Sequence, residues 1–306
     1  VKQYIVRRVG YSLLSLFLLS LTIFFFVRVT GDPATLLAEP GASEADIATI
    51  HHQFGLDRPL VVQYALFMVK LAQGDLGQSF YYQTPVFELY FSRLPNSLLL
   101  ALVAMAFSLL VGIPTGIIAA VRVGTFWDSA GKLFALLGLS LPSFFVGLLM
   151  ILFFTVYLGW LPSSGSGTPL HLIMPAFALG WYFAAAHMRL TRSSMLEVLG
   201  SEYIKLARLK GLPQALVIGK HALKNALIPV LTLAGINLVL MINVAVVVET
   251  VFAWPGVGRL LYEGVSFRDF PVVQGVVILG GCMIVAVNLL VDIVYALIDP
   301  RIRLEA

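Results

Sequence analysis

The chain has 306 residues, 59% of them apolar and only 12% charged, with a mean hydropathy of +0.93, a net charge of +4 and a pI near 9.2. Globular domains run near 45–50% apolar and about 25% charged, so a soluble form of this chain would expose apolar surface and aggregate. That excludes an ordinary soluble enzyme, a disordered protein and a nucleic-acid binder, and a single cysteine, Cys282, excludes an internal disulfide and a cysteine-rich metal site.

A helix needs about 20 apolar residues to cross the hydrocarbon core, so runs free of Asp, Glu, Lys and Arg mark the spans. Residues 9–27 form the first. Lys2, Arg7 and Arg8 before it fit a signal peptide, but the run is long for a cleaved segment and no clean small-x-small site follows. A retained helix is expected. Segment 30–94 carries seven acids; within it 60–71 is apolar but only 12 residues long, and reads as an interfacial or packed helix. Residues 74–79 (GDLGQS) read as a turn. Residues 94–121 are the second span. Residues 133–188 are uncharged throughout, too long for one crossing, and interrupted by the turn-rich stretch 159–169, which gives spans at about 133–158 and 172–189. Residues 225–248 and 270–291 complete six. All are helices, because backbone groups in lipid must pair within their own segment.

With the N-terminus inside, cytoplasmic segments hold 14 of the 20 Lys and Arg and external segments six, the asymmetry of the positive-inside rule. Six crossings return the C-terminus to the same side.

The cytoplasmic segment 189–225 is patterned. Gly200 ends one helix, and Ser201 is placed to cap another over 202–210, with Glu202 at its start and Arg208 and Lys210 at its end. Ile204 and Ala207, with Tyr203 and Leu206, give it an apolar stripe. Gly211 stops it and Pro213 opens the next helix. This helix–Gly–x–Pro–helix either docks onto something or is a solvated basic loop that sets topology.

Several chemistries are missing. No phosphate-binding loop occurs: Gly219-Lys220 is followed by His221 and lacks the leading glycine. Residues 164–167 have no His/Asp partner on the same membrane side. His51, His52 and His171 are external, but adjacent histidines on a helix point apart and chelate poorly, so no metal site is expected. Asn237 and Asn243 in the fifth span serve either helix packing or a polar path. Asn288 and Asp292, four apart in the sixth, suit a local hydrogen bond, and Asp292 lies too near the cytoplasmic end for a midplane ion site.

From end to end the chain resembles the membrane subunit of a bacterial ATP-binding-cassette (ABC) importer of the dipeptide/oligopeptide/nickel permease family. The resemblance runs through 4–8 (YIVRR), 31–33 (GDP), 55–60 (GLDRPL), 94–98 (LPNSL) and 159–162 (GWLP). It is most specific at 202–211 (EYIKLARLKG) leading to 221–229 (HALKNALIP), at 249–258 (ETVFAWPGVG) and at 299–303 (DPRIR). Each motif is weak alone; their order and spacing carry the match.

The resemblance implies an all-α, type I importer permease with six transmembrane helices and both termini cytoplasmic. It implies a division into 1–93, a first helix plus external segment, and 94–306, a core permease domain with the coupling loop 189–225. It implies that Glu202, Tyr203, Ala207, Gly211 and His221 belong to the loop that docks into a groove of the ATPase. The Glu-Ala-Ala start common in such loops is absent here, as is the Ile-x-Leu-Pro ending. Glu249, Phe252, Trp254, Pro255 and Gly256 are implied at an external gate or binding-protein contact, or in a tight re-entrant turn. Asn237, Asn243 and Asn288 are candidates for the translocation path. The chain itself is expected to bind no cofactor and catalyse nothing, ATP and Mg being held by partner subunits. The implied partners are a second homologous permease, two cytoplasmic ATPases and an external solute-binding protein, in the bacterial inner membrane. A peptide-type solute ranks above nickel, and a self-contained secondary carrier lower still, since neither inverted repeats nor a midplane ion site is visible.

Overall fold

A computed structural model of the chain describes residues 2–30, 43–45, 52 and 57–298. Among these the structure is helical, with one isolated antiparallel bridge between Gln78 and Pro85. Five helices are long and apolar enough to cross a membrane: α1 (Lys2–Thr30), α3 (Val86–Val121), α6 (Leu170–Leu199), α8 (Gln214–Val251) and α10 (Phe270–Ile298). Between them lie α2 (Leu60–Ala72), α4 (Phe126–Ser140), α5 (Ser143–Tyr157), α7 (Glu202–Leu209) and α9 (Val257–Ser266).

The span expected at about 133–158 is not one straight helix. It is α4 and α5, bent by 103° at their junction, and the chain has six crossings only if this pair counts as one. The cause is Pro142. It lacks an N–H to continue α4, and it drives the residue before it out of the helical region. Leu141 accordingly sits at φ −89°, ψ 123°.

The chain divides into two compact units, 1–95 with 259–306, and 96–258. In the first, α1 packs on α10 through Ile23, Val27, Phe270, Val273 and Ile278. The expected helix at 60–71 is α2, and it lies along α1. Ser20 Oγ and Tyr64 Oη are 2.8 Å apart, Arg28 Nε donates to Gln63 Oε1 at 2.9 Å, and Phe24 meets the rings of Tyr64 and Phe67. The expected turn at 74–79 has left-handed Gly74 and Gly77, and Asp75 Oδ1 accepts the Gly77 N–H. Beyond it Ser79 Oγ donates to Asp269 Oδ2 at 2.5 Å and Tyr82 Oη to Glu263 Oε2 at 2.6 Å. Burial and the Glu263 bond push the Tyr82 phenol up to about 12.

In the second unit α6 is central. α3 approaches it at Gly112 and Gly116, where an added Cβ would fall 2.6 and 2.7 Å from the carbonyl oxygens of Ala184 and Met188. Small residues at such crossings let helix backbones close up in lipid, where packing rather than hydrophobic exclusion holds helices together. α4 is tied to α6 by Asp128, whose buried carboxylate accepts from Arg192 Nε and Lys132 Nζ, each at 2.8 Å, and from the Gly124 N–H. The core of this unit contains Leu100, Ala104, Met174, Leu179, Phe183, Met241, Val248, Phe252 and Trp254.

Candidate functional site

The helix–Gly–x–Pro–helix segment has the expected shape, with two local differences. Gly200 closes α6 in a right-handed conformation, φ −83°. Ser201 takes the extended backbone of a cap residue, but its hydroxyl donates back to the Val198 carbonyl at 2.6 Å and makes no cap bond to α7. Gly211 is left-handed at φ 74°, and its N–H reaches the Arg208 carbonyl at 2.9 Å. Pro213 then precedes α8, whose Val217–Ala222 stretch is a wider, π-helical turn.

The expected single apolar stripe of α7 is two stripes. Ile204 and Ala207 face inward, packed with Met195, Val217, Ala222 and Ala226. Tyr203, Leu206 and Leu209, three apart, face outward at 44, 53 and 84% exposure. Of the candidate coupling residues, Glu202, Tyr203 and Gly211 are therefore exposed, Ala207 is inside the subunit and His221 is half-buried. Leu206 and Leu209, which the resemblance did not single out, are the most exposed apolar side chains of the segment.

Residues 249–258 form a knot. Glu249, fully buried near the end of α8, accepts from Ser97 Oγ at 2.6 Å, and Ser97 Oγ accepts the Val257 N–H at 2.8 Å. The Trp254 indole donates to the Asn96 carbonyl at 3.0 Å, and Asn96 Nδ2 returns to the Pro255 carbonyl at 2.9 Å. Phe252 is buried against Gly147, and its carbonyl accepts the Gly165 N–H. Gly256 has no room for a side chain: an added Cβ would land on the Glu249 carboxylate. None of the five candidate residues here presents an exposed side chain. The arrangement is a tight turn with its aromatics buried, and it fastens the end of α8 to the Asn96-Ser97 pair in α3.

Of the path candidates, Asn237 is buried and lies 3.3 Å from His187 Nε2, while His187 Nδ1 lies 3.2 Å from Ser108 Oγ. This row joins α3, α6 and α8. Sequence reasoning passed over His187, although a lone histidine in an uncharged run was the available signal. Asn243 is exposed and donates to its own helix at the Val239 carbonyl; Asn288 is exposed on α10. The expected Asn288–Asp292 bond involves a side chain outside the described residues, as do His51 and the 299–303 motif. Among the described residues no three His, Cys, Asp or Glu cluster in a way that could hold a metal.

The His187 row makes a specific prediction. Asn237→Leu strands His187 Nε2 in an apolar interior and costs about 1–3 kcal/mol. Adding His187→Met removes the stranded group, and Ser108 keeps its bond to the Met105 carbonyl at 2.8 Å, so the double variant regains stability. Thermal unfolding of the detergent-purified protein measures this; a double variant less stable than Asn237→Leu alone refutes the pairing.

Residues 112–304 match the family described as binding-protein-dependent transport system inner membrane component, and residues 1–101 match the N-terminal region of the same membrane components. The chain is 40% identical over 302 residues to the glutathione transport system permease protein GsiC of Salmonella typhimurium (strain LT2), covering 98% of this chain and 99% of that protein. For the Escherichia coli (strain K12) GsiC the identity is 39% over the same coverage. Among solved structures, an amino acid ABC transporter chain superposes with a TM-score of 0.54 at 16% identity over 67% of this chain and 92% of its own. A chain of the inward-facing MetNI methionine ABC transporter gives 0.54 at 19% identity over 69% and 96%. At those identities the likeness is one of fold.

Proposed function

The chain belongs to the family of binding-protein-dependent transport system inner membrane components, and on that premise we propose that it carries peptide-type solutes, glutathione among them, into the bacterial cell. As a family member it is a non-catalytic permease subunit of an ABC importer in the inner membrane and works with ATPase and solute-binding partners. The observation that carries the solute class is the 40% identity, over nearly the whole of both chains, to a glutathione permease. Those relatives do not favour nickel, and family membership removes the secondary carrier.

In the assembly we favour, this chain pairs with a second homologous permease, and two cytoplasmic ATPases hold the ATP and Mg. The outward row Tyr203–Leu206–Leu209, ending at Gly211, supports ATPase docking, because an apolar row on a cytoplasmic helix is costly until a partner covers it. Closure of the ATPases on ATP would move the two coupling segments together and turn the solute cavity outward; reopening would turn it inward. The subunit contributes differential stability of two conformations. The reading is tested by reconstituting the complete system and measuring ATP-dependent uptake of glutathione. Absence of uptake, with another solute transported in its place, overturns the solute class.

Topology gives a further prediction. In a Cys282→Ser background, cysteines at Ser43 and Ser166 react with an impermeant thiol reagent applied to whole cells or spheroplasts. A cysteine at Ser201 reacts only after permeabilisation. The motive is the 14-to-6 distribution of basic residues; labelling of Ser201 from outside inverts the orientation.

A further inference from the structure

One face of α2 is uncovered. Val62, Leu66 and Val69 recur at intervals of four and three, with Val61 and Ala65 beside them, and all are exposed, Val61 to 79%. The polar side chains of the helix are engaged on its other side. Gln63 is buried, donating to the Arg58 carbonyl at 2.8 Å and accepting from Arg28, and Tyr64 Oη pairs with Ser20 Oγ. Lys70, the one charged residue of α2, lies in its last turn.

The contacts with α1 fix the depth of α2. They run from Arg28 through Phe24 and Ser20 to Phe17: Met68 Sδ lies 3.6 Å from Ser20 Oγ, and the rings of Tyr64 and Phe17 meet edge to face at 6.2 Å. Those α1 residues extend over about 16 Å of the helix axis, roughly half of a hydrocarbon core about 30 Å thick. They form the C-terminal half of the span Arg7–Val29. A helix riding on the membrane surface would touch α1 only near the end of that span, so α2 sits at the level of the acyl chains. The open surface continues onto α1, where Phe17, beside Tyr64, is exposed together with Leu13, Leu14 and Leu18.

The chemistry of the face selects what covers it. Protein interfaces draw binding energy from Trp, Tyr and Arg, with Leu and Val under-represented. α2 turns both its aromatics, Tyr64 and Phe67, onto Phe24 of α1 instead. Helix pairs in lipid close up on small residues, as α3 does at Gly112 and Gly116, whereas this face is mostly branched and aliphatic. Such a face suits acyl chains, which ask for no polar partner.

We infer that α2 is inserted in the bilayer without crossing it, its Val61–Val69 face lying against phospholipid acyl chains. The leaflet is the one that the C-terminal end of α1 reaches, the outer leaflet in the topology above. Lys70 extends its ammonium to the headgroups on an apolar stem. The segment between the first two spans is thereby held in the membrane partway along its length.

The test uses the complete importer in nanodiscs, in a Cys282→Ser background, with a bimane probe on single cysteines at Leu66 and Val69. Leu14 on α1 is the lipid-facing reference and Ser166 the aqueous one. Phosphatidylcholine carrying a nitroxide on its acyl chain quenches the probes at 66 and 69 as strongly as the probe at 14, and a headgroup nitroxide quenches them less. Iodide quenches the probe at 166 and leaves those at 66 and 69 bright. Stronger quenching by the headgroup nitroxide puts α2 at the surface and refutes the insertion. Iodide quenching at 66 and 69 overturns the lipid assignment, and its loss on adding the solute-binding protein makes this face a binding-protein contact instead. Probes that neither nitroxide nor iodide reaches mean that the second permease covers the face, and the lipid assignment falls.

Discussion

Gly211→Arg leaves the subunit folded and inserted but abolishes ATP-driven transport. The backbone at 211 is left-handed, φ 74°, and no heavy atom lies within 4 Å of where a Cβ would go. The cost to the subunit is therefore the left-handed penalty of a non-glycine residue, about 1–2 kcal/mol, which a helix bundle of this size absorbs. The cost to docking is larger. Gly211 comes two residues after Leu209, the most exposed apolar side chain of α7, and follows Lys210, with Arg208 one position before Leu209. A long cation there props the partner surface away and adds to an already basic cluster. Central interface positions cost at least about 2 kcal/mol when disrupted, roughly thirtyfold in affinity, before any loss of coupling geometry. Gly211→Ala carries the same backbone penalty without the bulk, and keeps most activity. The measurements are co-purification of the ATPases and solute-stimulated ATP hydrolysis in proteoliposomes. Wild-type hydrolysis and transport by Gly211→Arg would make 201–224 a topology-setting loop and nothing more.

That prediction could be framed from sequence because Gly211 and Pro213 impose their conformations locally. The spans were legible for a similar reason: absence of charge over about 20 residues is a property of the segment itself. The break at Leu141-Pro142 is also local, but it lies inside the run 133–158, which is uncharged throughout and long enough for one crossing, so charge and length do not mark it. The faces of α7 were beyond reach. Apolar residues at 203, 204, 206, 207 and 209 give two overlapping stripes in eight residues, and only the packing of Ile204 and Ala207 against α8 decides which one turns inward. The polar contacts were least legible. Ser97 and Glu249 are 152 residues apart, and His187 and Asn237 are 50 apart; no periodicity links such pairs. The 94–98 and 249–258 motifs stood out only by resemblance, and their meeting through Asn96, Ser97, Trp254 and Glu249 explains why both segments have the residues they do.

Gly256→Val prevents accumulation of folded subunit. The substitution puts a branched side chain where the Glu249 carboxylate already lies. Something must move, and the neighbours cannot. Glu249 is fully buried and held by Ser97, Gly258 lies against Val246 and the same carboxylate, and the main chain of the turn is fixed by the Trp254 N–H on the Glu249 carbonyl at 2.8 Å. Overpacking costs about 1–3 kcal/mol, and displacing a buried carboxylate from its partners costs about 3–5 kcal/mol more. Together these approach the whole stability of an ordinary domain. Gly256→Ala follows the same direction at smaller size. The mechanism has its own check, because Glu249→Asp withdraws the carboxylate by one methylene while keeping its charge. Paired with Gly256→Ala it makes room for the new Cβ, so the double variant is more stable than the sum of the two single losses predicts, as expected for residues in contact. Membrane yield and thermal unfolding of the purified subunit are the readouts. Wild-type yield and unfolding temperature for Gly256→Val would mean the turn opens freely at this position, and strictly additive losses in the double variant would mean Gly256 is constrained by something other than the Glu249 carboxylate.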